Sequence, residues 1–440
     1  MKNIEIPSRL KVKKNDPFLP LYTSKKRYFF LTGGRGSLKS SSVHKFVALL
    51  TFQKGHGILF TRYTMSSAEA SIIPEFKIVT DRLKITDDFH FTKTKVINKH
   101  TGSFIFFSGI KTSQGNQTAK LKSIAGISTW VIEEGEDFDD PIAFDTIDNS
   151  IRTTAVQNRV IWIQNPTTKE HFIYEKFIEG NSKKIKVENY DVTVSNHNEV
   201  EHIHTTYRIA EKEGYLDATW LQKAANLKLK ALEDEKNAKK KDKNHVKHTS
   251  KYYYVYIGGW LEMSEGAIYT DWIQGKFNTK VPSVHGMDYG YFPDPLALIE
   301  VAVVKKEMKI YVREKIFALK LSESEIIEAI RKKIGNKNNL IVADTNEPRT
   351  TSAIRKAGFN IVSAKKEKGS VKADIIEIQD YQIIVDPKSE NIKRELRNYS
   401  WNNKKASIPI GEYNHTMDAI RYSFRRQIKK KRRNKKKKNG

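Results

Sequence analysis

Short runs of apolar residues recur through the first half of the chain, and segments compatible with helices separate them. The runs are RYFFLTGG, GILFTRY, SFIFFSGI, TWVIEE and RVIWIQNP. Each run is nearly continuous in apolar residues, which is typical of strands that are covered on both faces. The pattern therefore predicts an α/β domain with a mostly parallel sheet that ends near residue 195.

The pattern changes twice in the second half. From Thr219 to about Lys247, helical periodicity gives way to a stretch of Lys, Asn and Asp, which predicts a charged helix followed by a flexible inter-domain segment. From about Tyr252 a second α/β region begins, with strand patterns in GMDYG, LALIEVAVV, MKIYVREKIF and LIVADTN and a helix pattern in SESEIIEAIRKKI. The predicted divisions are 1–195, 196–262, 263–427 and a disordered basic tail at 428–440.

The excess of basic residues favours a partner with negative charge. Lys and Arg number 78 against 51 Asp and Glu, a formal net charge of +27, which favours nucleic acid, with a membrane surface as the competing partner. No apolar run approaches the roughly 20 residues that span a bilayer, and the basic N-terminus does not resemble a signal peptide, so we expect a cytoplasmic protein. The absence of cysteine leaves oxygen and imidazole as metal ligands.

A glycine-rich turn lies between the first strand pattern and a helix pattern, in RYFFLTGGRGSLKSSSVHKFVAL. Backbone amides of such a turn face phosphate oxygens, Lys39 would reach the β and γ phosphates of ATP, and Ser40 would ligate magnesium. Leu38 departs from the pattern GxxxxGK[ST], in which glycine precedes the lysine. An ordinary tight turn is the competing interpretation. The predicted ATP-binding residues are Gly33, Gly34, Arg35, Gly36, Ser37, Lys39, Ser40 and Ser41.

Two further strand patterns end in polar residues suited to ATP hydrolysis. TWVIEEGEDF ends in adjacent carboxylates, of which we assign Glu133 to magnesium and Glu134 to the catalytic base. RVIWIQNP ends at Asn165, whose amide could sense the γ phosphate. Paired acids at a strand end are often a solvated turn, but the order of the three motifs favours an ATPase.

Three aspartates in the C-terminal region have matching contexts. Asp288 ends the strand pattern in HGMDYG, Asp344 ends LIVADTN, and Asp418 lies in the helix pattern NHTMDAIRYSF. A lone aspartate at a strand end is usually a turn or cap residue, but strand, strand, helix is the ligand order of RNase H-like nucleases. Two magnesium or manganese ions held there would activate water for attack on phosphorus. Asp294 could add an outer carboxylate, and Glu347 is a weaker option.

Together these motifs closely resemble the large terminase subunit of tailed bacteriophages, from about residue 25 to 426. The resemblance implies an α/β protein with an N-terminal P-loop packaging ATPase and a C-terminal RNase H-like nuclease with a mixed sheet. It implies ATP with Mg²⁺, Asn165 as the coupling amide, and Asp288, Asp344 and Asp418 as metal ligands. The matching segments are GGRGSLKSSS, WVIEEGED, IWIQNPTTKEHFIYEKF, YIGGWLEMSEGAIY, GMDYGYFPDPLAL, VADTNEPRTTSAIRKAGFNIVSAKKEKGS and NHTMDAIRY.

The resemblance also implies the surroundings of the protein. They are double-stranded DNA, a portal protein, a small terminase subunit and a homo-oligomeric ring, expected to be a pentamer. The location would be the host bacterial cytoplasm and, transiently, the procapsid, but not the mature virion or a membrane. An arginine finger would be donated by a neighbouring subunit, and the candidates are Arg62, Lys120, Lys122 and Arg152.

Some residues keep two interpretations open. Lys365, Lys366 and Lys368 are candidates for DNA contact, although ordinary solvated lysines are as good an explanation. His202, His204, His285 and His415 are interpreted as surface or core residues, with His415 the closest of them to the predicted metals. The rival functions are a DNA repair or recombination ATPase-nuclease, which would unwind strands, and a nonenzymatic DNA-binding scaffold, which would not bind magnesium.

Overall fold

A computed structural model of the chain divides into two compact units, Met1–Glu262 and Met263–Gly440. The boundary between them coincides with the division predicted at residue 262. The structure describes residues 6–64, 72–112, 115–116, 121, 124–165, 167–237, 250–264, 266–365, 370–401 and 408–436.

The first unit is built on a sheet in the order β11-β1-β8-β7-β2-β5-β4-β3, with β6 paired to β5. The six strands from β11 to β5 are parallel, and β4, β3 and β6 are antiparallel additions. A separate hairpin pairs β9 with β10. The strands are β1 Tyr28–Thr32, β2 Gly57–Thr64, β3 Phe89–Phe91, β4 Lys95–Asn98, β5 Phe104–Thr112, β6 Gly115–Asn116, β7 Ile127–Glu133, β8 Arg159–Ile163, β9 Ser182–Val187, β10 Tyr190–Ser195 and β11 Val200–His204.

Helices cover both faces of this sheet. They are α1 Leu19–Thr23, α2 Lys39–Thr51, α3 Ile72–Arg82, α4 Pro141–Asp148, α5 Phe172–Phe177, α6 Arg208–Lys212 and α7 Ala218–Asn237, with a π-helical turn at Tyr253–Ile257.

Alternate residues of each central strand enter two different cores. Phe29 and Leu31 of β1 pack in the core that contains Val47 and Phe76 of α2 and α3, whereas Phe30 packs in the core with residues of α4 and α5. Because both faces are buried, the strands need apolar residues at every position. This explains the five continuous runs, all of which form strands of the sheet as predicted.

The predicted end of the first domain at residue 195 is too early. Strand β11 pairs in parallel with β1, from Tyr28 opposite Val200 to Thr32 opposite His204. The sequence VEHIH conceals this strand because β11 lies at the edge of the sheet, where polar residues are tolerated. The predicted charged helix is present as α7, but it belongs to the same compact unit and not to a separate linker.

The second unit contains a mixed sheet in the order β12-β18-β15-β14-β13-β16-β17. Strands β13, β14 and β15 form an antiparallel meander, and β16, β17, β18 and β12 join it through parallel pairings. The predicted mixed sheet is therefore present. Its strands are β12 Trp272–Gln274, β13 Ser283–Asp288, β14 Leu296–Val304, β15 Lys309–Ala318, β16 Ile341–Ala343, β17 Ile361–Ser363 and β18 Gln382–Val385.

Helices accompany this sheet, and α12 crosses β13 at very close range. A Cβ atom added to Gly286 would lie 1.7 Å from the carbonyl oxygen of Ala419, so only glycine allows this approach. Helix α12 continues to Lys436, past residue 428, where the sequence predicted that a disordered tail begins. The helices are α8 Glu323–Lys333, α9 Pro348–Lys356, α10 Ser370–Gln379, α11 Glu390–Asn398 and α12 His415–Lys436.

The end of α12 is strongly basic in sequence. From Lys429 to Lys436, every residue is Lys, Arg or Asn. Within the described part of the chain, no helix combines the length and the apolar character needed to cross a bilayer.

Candidate functional site

The carboxyl ends of four neighbouring parallel strands in the first unit carry the predicted ATPase residues. Arg62 of β2 lies opposite Glu133 of β7, and Leu31 of β1 lies opposite Ile163 of β8. The segments that follow these strands therefore meet at one edge of the sheet. They surround a cavity of about 440 Å³ that is lined by the glycine-rich turn, Glu133, Glu134 and Asn165.

The turn itself adopts strained backbone where the sequence departs from the phosphate-loop pattern. Leu38 has a φ of 59° and a ψ of 14°, the left-handed conformation that glycine adopts freely. For a residue with a Cβ atom this costs roughly 1–2 kcal/mol. Leu38 also packs on the core beneath α2, which offsets part of the strain. The loop thus keeps a left-handed residue before Lys39 without glycine.

Lys39 lies at the start of α2 and is only 6% exposed. Its ammonium nitrogen donates to the carbonyl oxygens of Gly33 (2.8 Å) and Gly34 (3.1 Å) and to Ser37 Oγ (2.9 Å). Burial lowers the pKa of Lys39 to about 8, and the carboxylate of Glu136 opposes this change. A cation that is held inside the loop and short of counter-charge is suited to a phosphate ligand.

Glu133, 3% exposed, is bound by an arginine of its own subunit. Arg62 Nε and Nη2 lie 3.0 and 2.8 Å from Glu133 Oε2, and Nη2 lies 3.1 Å from both carboxylate oxygens of Glu75. Arg62 Nε also lies 3.7 Å from Glu134 Oε2. The guanidinium of Arg62 thus neutralises acids of its own cavity, which counts against Arg62 among the four candidates for insertion into a neighbouring subunit.

His44 adds an imidazole to this acidic cluster. Among the residues that the structure describes, His44, Glu75 and Glu133 are the one set of three whose ligand atoms all lie within 4.8 Å of one another. His44 Nε2 is buried without a hydrogen-bond partner, and burial lowers the pKa of this imidazole to about 4. The guanidinium of Arg62 already supplies a cation to two of the three residues.

Glu134 differs from Glu133 in both exposure and backbone. Its side chain is 48% exposed, and its φ of 54° is left-handed. Partial burial raises the pKa of Glu134, Arg62 lowers it, and the neighbouring Glu133 raises it again, with a net rise. A carboxylate with a raised pKa at the mouth of a cavity is suited to accept a proton near neutral pH.

Asn165 connects the lysine to a further acid. Its side-chain oxygen lies 3.4 Å from Lys39 Nζ, and its amide nitrogen donates to Glu136 Oε1 at 2.7 Å. The backbone N–H of Asn165 donates to Glu136 Oε2 at 3.0 Å. A change in the position or contacts of Lys39 would therefore alter the contacts of Asn165 and, through them, the turn that carries Glu136.

The glycine-rich turn rests on the π-helical turn at Tyr253–Ile257. Arg35 N–H donates to the carbonyl of Val255 at 2.7 Å, and a Cβ on Gly258 would lie 2.0 Å from the backbone of Gly33 and Gly34. Nearby, Thr32 Oγ1 lies 2.8 Å from a ring nitrogen of His202 and from one of His204. Both histidines are partly buried, and their imidazoles hold the end of β1 through this hydroxyl.

In the second unit, Asp288 and Asp344 end neighbouring parallel strands. Met287 of β13 lies opposite Ala343 of β16, and the backbone N–H of Asp344 donates to the carbonyl of Met287 at 3.0 Å. The crossing of α12 over Gly286 brings Asp418, in the first turn of that helix, beside them. All three carboxylates thus occupy one end of the sheet.

The pKa of Asp288 responds both to its burial and to the charged groups around it. Burial raises its pKa to about 6, the bond to His415 lowers it, and the charges of Asp418 and Asp344 raise it. His415 Nδ1 lies 3.1 Å from Asp288 Oδ2, and its Nε2 lies 3.5 Å from Asp294 Oδ1. The interpretation of His415 as an ordinary surface or core residue is wrong, since its imidazole bridges two carboxylates of the cluster.

Asp418 is held by a buried arginine one turn further along α12. Arg421, 5% exposed, donates from Nη2 (2.9 Å) and Nε (3.2 Å) to Asp418 Oδ1. Asp374 of α10 lies 3.7 Å from Arg421 and 3.2 Å from Arg425. Arg421 therefore fixes the orientation of the Asp418 carboxylate through these two hydrogen bonds.

The three aspartates form a looser group than the one around His44. Unlike the ligand atoms of that group, their carboxylate oxygens do not all lie within 4.8 Å of one another. Their oxygen donors are of the kind that magnesium and manganese prefer.

Other predicted residues are more peripheral. Asp294 is 68% exposed, Glu347 is exposed at the start of α9, and Lys365 is exposed after β17. Arg152 is exposed. Lys120, Lys122, Lys366 and Lys368 lie outside the described residues.

Several residues of the two clusters were missed. Arg421 follows Asp418 by three residues, the spacing that places helical side chains on one face, so this partner of Asp418 could have been found. Glu136 follows Glu133 by three residues in an acidic turn. Glu75, His44 and Asp374 carried no local signal.

Comparison with known proteins gives a consistent picture. The family model described as "Phage terminase large subunit" matches residues 25–245, and the model "Terminase RNAseH like domain" matches residues 288–426. The terminase large subunit of Bacillus phage SPP1 is 27% identical over 429 residues, covering 91% of this chain and 92% of that protein. The PBSX phage terminase large subunit of Bacillus subtilis strain 168 is 24% identical over 409 residues, covering 90% of each.

Solved structures that are similar to parts or most of this chain include two phage terminases. The g2p nuclease domain of bacteriophage SPP1 with bound Mn is 27% identical, covers 36% of this chain and 98% of that chain, and has a TM-score of 0.33. The large terminase of a thermophilic bacteriophage in complex with ADP is 15% identical, covers 92% of this chain and 98% of that chain, and has a TM-score of 0.39. Because the first family model spans half of the chain and the second covers its remaining motifs, this chain belongs to the phage terminase large subunit family, with an ATPase and a nuclease domain in a DNA-packaging motor.

Proposed function

We propose that the cavity at the edge of the first sheet binds the triphosphate of ATP and that Glu134 is the base for its hydrolysis. The backbone of Gly33 to Ser41 would cradle the phosphates, and Lys39 would exchange its loop carbonyls for phosphate oxygens. Bound Mg²⁺, held by Ser40 and Glu133, would neutralise charge that develops on the transferred phosphoryl group. The oxygen donors of these two residues fit that ion.

A second cavity adjoins the first and suits the nucleoside. It has a volume of about 930 Å³ and shares Leu38 and Ser41 with the phosphate cavity. The residue segment 8–18 forms one wall, and Tyr215 lies beside Arg82, whose guanidinium is 5.0 Å from the tyrosine ring. We place adenine and ribose in this cavity, since its position continues the line from the phosphates past Leu38.

For the nuclease, we propose that Asp288, Asp344 and Asp418 hold two Mg²⁺ or Mn²⁺ ions, with Asp294 as an outer carboxylate. The ions would activate water and stabilise the leaving 3′ oxygen of DNA. Arg421 orients Asp418 by occupying its Oδ1 atom, and His415 orients Asp288. The observation that carries this assignment is the meeting of two strand ends and one helix start at the same end of the sheet.

The partners follow from the family role in a packaging complex with DNA. We propose that this chain acts as a ring, most simply a pentamer, on a portal protein with a small terminase subunit that selects the DNA. Lys365, Lys366 and Lys368 would contribute phosphate contacts, which hold DNA without reading its sequence. The chain would act in the host cytoplasm and on the procapsid, and it would be absent from the mature virion. The trans-acting finger would then be Arg152, Lys120 or Lys122.

Proton uptake on nucleotide binding tests the ATP site. With a pKa of about 8, Lys39 is neutral in about half of the free molecules at pH 8, and the phosphate charges should raise that pKa. Titration calorimetry with a non-hydrolysable ATP analogue, in two buffers of different ionisation enthalpy, should therefore show uptake of about half a proton at pH 8 and almost none at pH 6.5.

Lys39→Arg is the matched control, because arginine remains protonated throughout this range. Its proton uptake at pH 8 should fall to the small contribution of the nucleotide itself. Equal uptake by the wild-type protein and Lys39→Arg would contradict the assignment of Lys39 to the phosphates.

A further inference from the structure

The loop between β13 and β14 presents two exposed aromatic side chains beside the proposed nuclease centre. Tyr291 and Phe292 are each 62% exposed. The loop begins directly after Asp288, and Asp294 near its end lies 3.5 Å from His415, which in turn contacts Asp288. Both ends of the loop are therefore fixed to the carboxylate cluster.

The loop is held in one shape by backbone contacts. A Cβ on Gly290 would lie 2.5 Å from the carbonyl oxygens of Asp294 and Pro295, so the neck of the loop is closed. Lys320 N–H donates to the carbonyl of Tyr291 at 2.7 Å. These backbone contacts fix the loop that carries Tyr291 and Phe292 at its tip.

Both apolar and cationic side chains surround the aromatic residues at the tip of the loop. Lys320 Nζ lies 4.6 Å from the centre of the Phe292 ring, and Leu319 is 47% exposed. A cation over an aromatic face, next to a cluster that cuts phosphodiesters, complements a nucleic acid strand in both its charge and its bases.

The reach of the loop sets which nucleotides it can meet. Tyr291 is three residues from Asp288, so their Cα atoms are at most about 11 Å apart. Successive phosphates of one strand rise by about 3.4 Å along the duplex. The aromatic tip therefore lies within a distance of about three nucleotides from Asp288, close enough to meet bases next to a scissile phosphate at the metal ligands.

We propose that Tyr291 and Phe292 form an aromatic wedge that stacks on bases unstacked next to the scissile phosphate. Exposed aromatic faces accept any base, and apolar side chains inserted at a base step can unstack it. The wedge would give the nuclease a substrate preference through DNA that is easily opened, without reading sequence. The inference rests on the proposed position of the metal ions at Asp288, Asp344 and Asp418.

Cleavage of two matched substrates by the full-length chain in Mn²⁺ tests the wedge. One substrate is a fully paired duplex, and the other carries a three-nucleotide bubble at the same place. Tyr291→Ala and Phe292→Ala should each cut the paired duplex about tenfold more slowly than the wild-type chain, because stacking on the wedge no longer assists opening. On the bubble, where the bases are already unstacked, the loss should be about threefold or less.

Controls separate the causes of a lost activity. Tyr291→Phe and Phe292→Tyr keep the rings and should cut both substrates at wild-type rates, and Ile376→Ala, at another site 50% exposed, should do the same. Mn²⁺ affinity measured by calorimetry should be unchanged in the alanine variants.

Three results would overturn the wedge. The alanine variants could cut both substrates like the wild type, they could lose activity equally on both, or they could lose Mn²⁺ affinity, which would make the loop a support for Asp288. A wild-type chain that cuts neither substrate would instead count against the proposed nuclease site.

Discussion

Glu134→Gln should lower ATP turnover by about a hundredfold to ten-thousandfold, the usual contribution of a general base. The amide keeps the size of the side chain but cannot accept the proton of the attacking water. Glu134 is suited to this role because its side chain is 48% exposed at the cavity and its pKa is raised. Nucleotide binding should persist, since Lys39 and the glycine-rich turn are untouched. Steady-state phosphate release and binding of a fluorescent ATP analogue measure the two effects.

Asp137→Asn is the matched control for this change. Asp137 lies in the same 3-10 turn, Gly135–Asp137, but does not line the phosphate cavity. Its replacement should leave turnover within a few-fold of the wild type. Metal-dependent cutting of plasmid DNA should be unaffected in both variants. Loss of hydrolysis and cutting together in Glu134→Gln would contradict two independent active sites.

Asp344→Ala should abolish plasmid cutting while ATP hydrolysis continues at the wild-type rate. Asp344 is 4% exposed between the strand ends, so no other side chain can take over its place in the cluster. Loss of a metal ligand removes several kcal/mol of transition-state stabilisation, equivalent to about a thousandfold or more in rate. Gel analysis of nicked and linear plasmid in Mn²⁺, with parallel phosphate release, measures both activities.

Glu347→Ala provides the comparison for this ligand. Glu347 is an exposed acid three residues further along the chain, at the start of α9, and its loss should leave cutting unchanged. Wild-type cutting by Asp344→Ala would refute the ligand assignment. Equal losses in the two variants would indicate a general effect of acidic residues near DNA.

The parts of the fold that the sequence predicted are those that local pattern decides. The runs around Phe30, Leu59 and Trp130 are buried on both faces. Because nearly every residue of such a run is apolar, the run can be recognised as a strand from sequence alone. Asp288 and Asp344 each end such a run, which placed them at a sheet edge without knowledge of the strand order. The glycine-rich turn and Glu133 were recognisable for the same reason.

The parts that the sequence did not predict depend on which elements become neighbours. Arg62 meets Glu133 because β2 lies beside β7, and Glu75 joins them only because α3 covers that edge. Asp374 reaches Arg421 through the packing of α10 against α12. Strand β11 was missed because an edge strand needs few apolar residues. None of these pairings produces a periodic pattern of residues in the sequence.

Leu38 shows how a departure from a motif can leave its geometry intact. The backbone keeps the left-handed conformation at the position before Lys39, although the residue is not glycine. The strain is retained at the turn that we propose binds phosphate, and strained backbone is often found at ligand-binding sites. The packing of the leucine side chain on the core supplies a compensation that glycine could not give.

The most direct test of two separate active sites in one chain is anomalous diffraction from crystals soaked in Mn²⁺. We predict manganese density among Asp288, Asp344 and Asp418, with Asp418 still held by Arg421. Density that appears only at His44, Glu75 and Glu133, or aspartate side chains that point away from one another, would contradict that prediction.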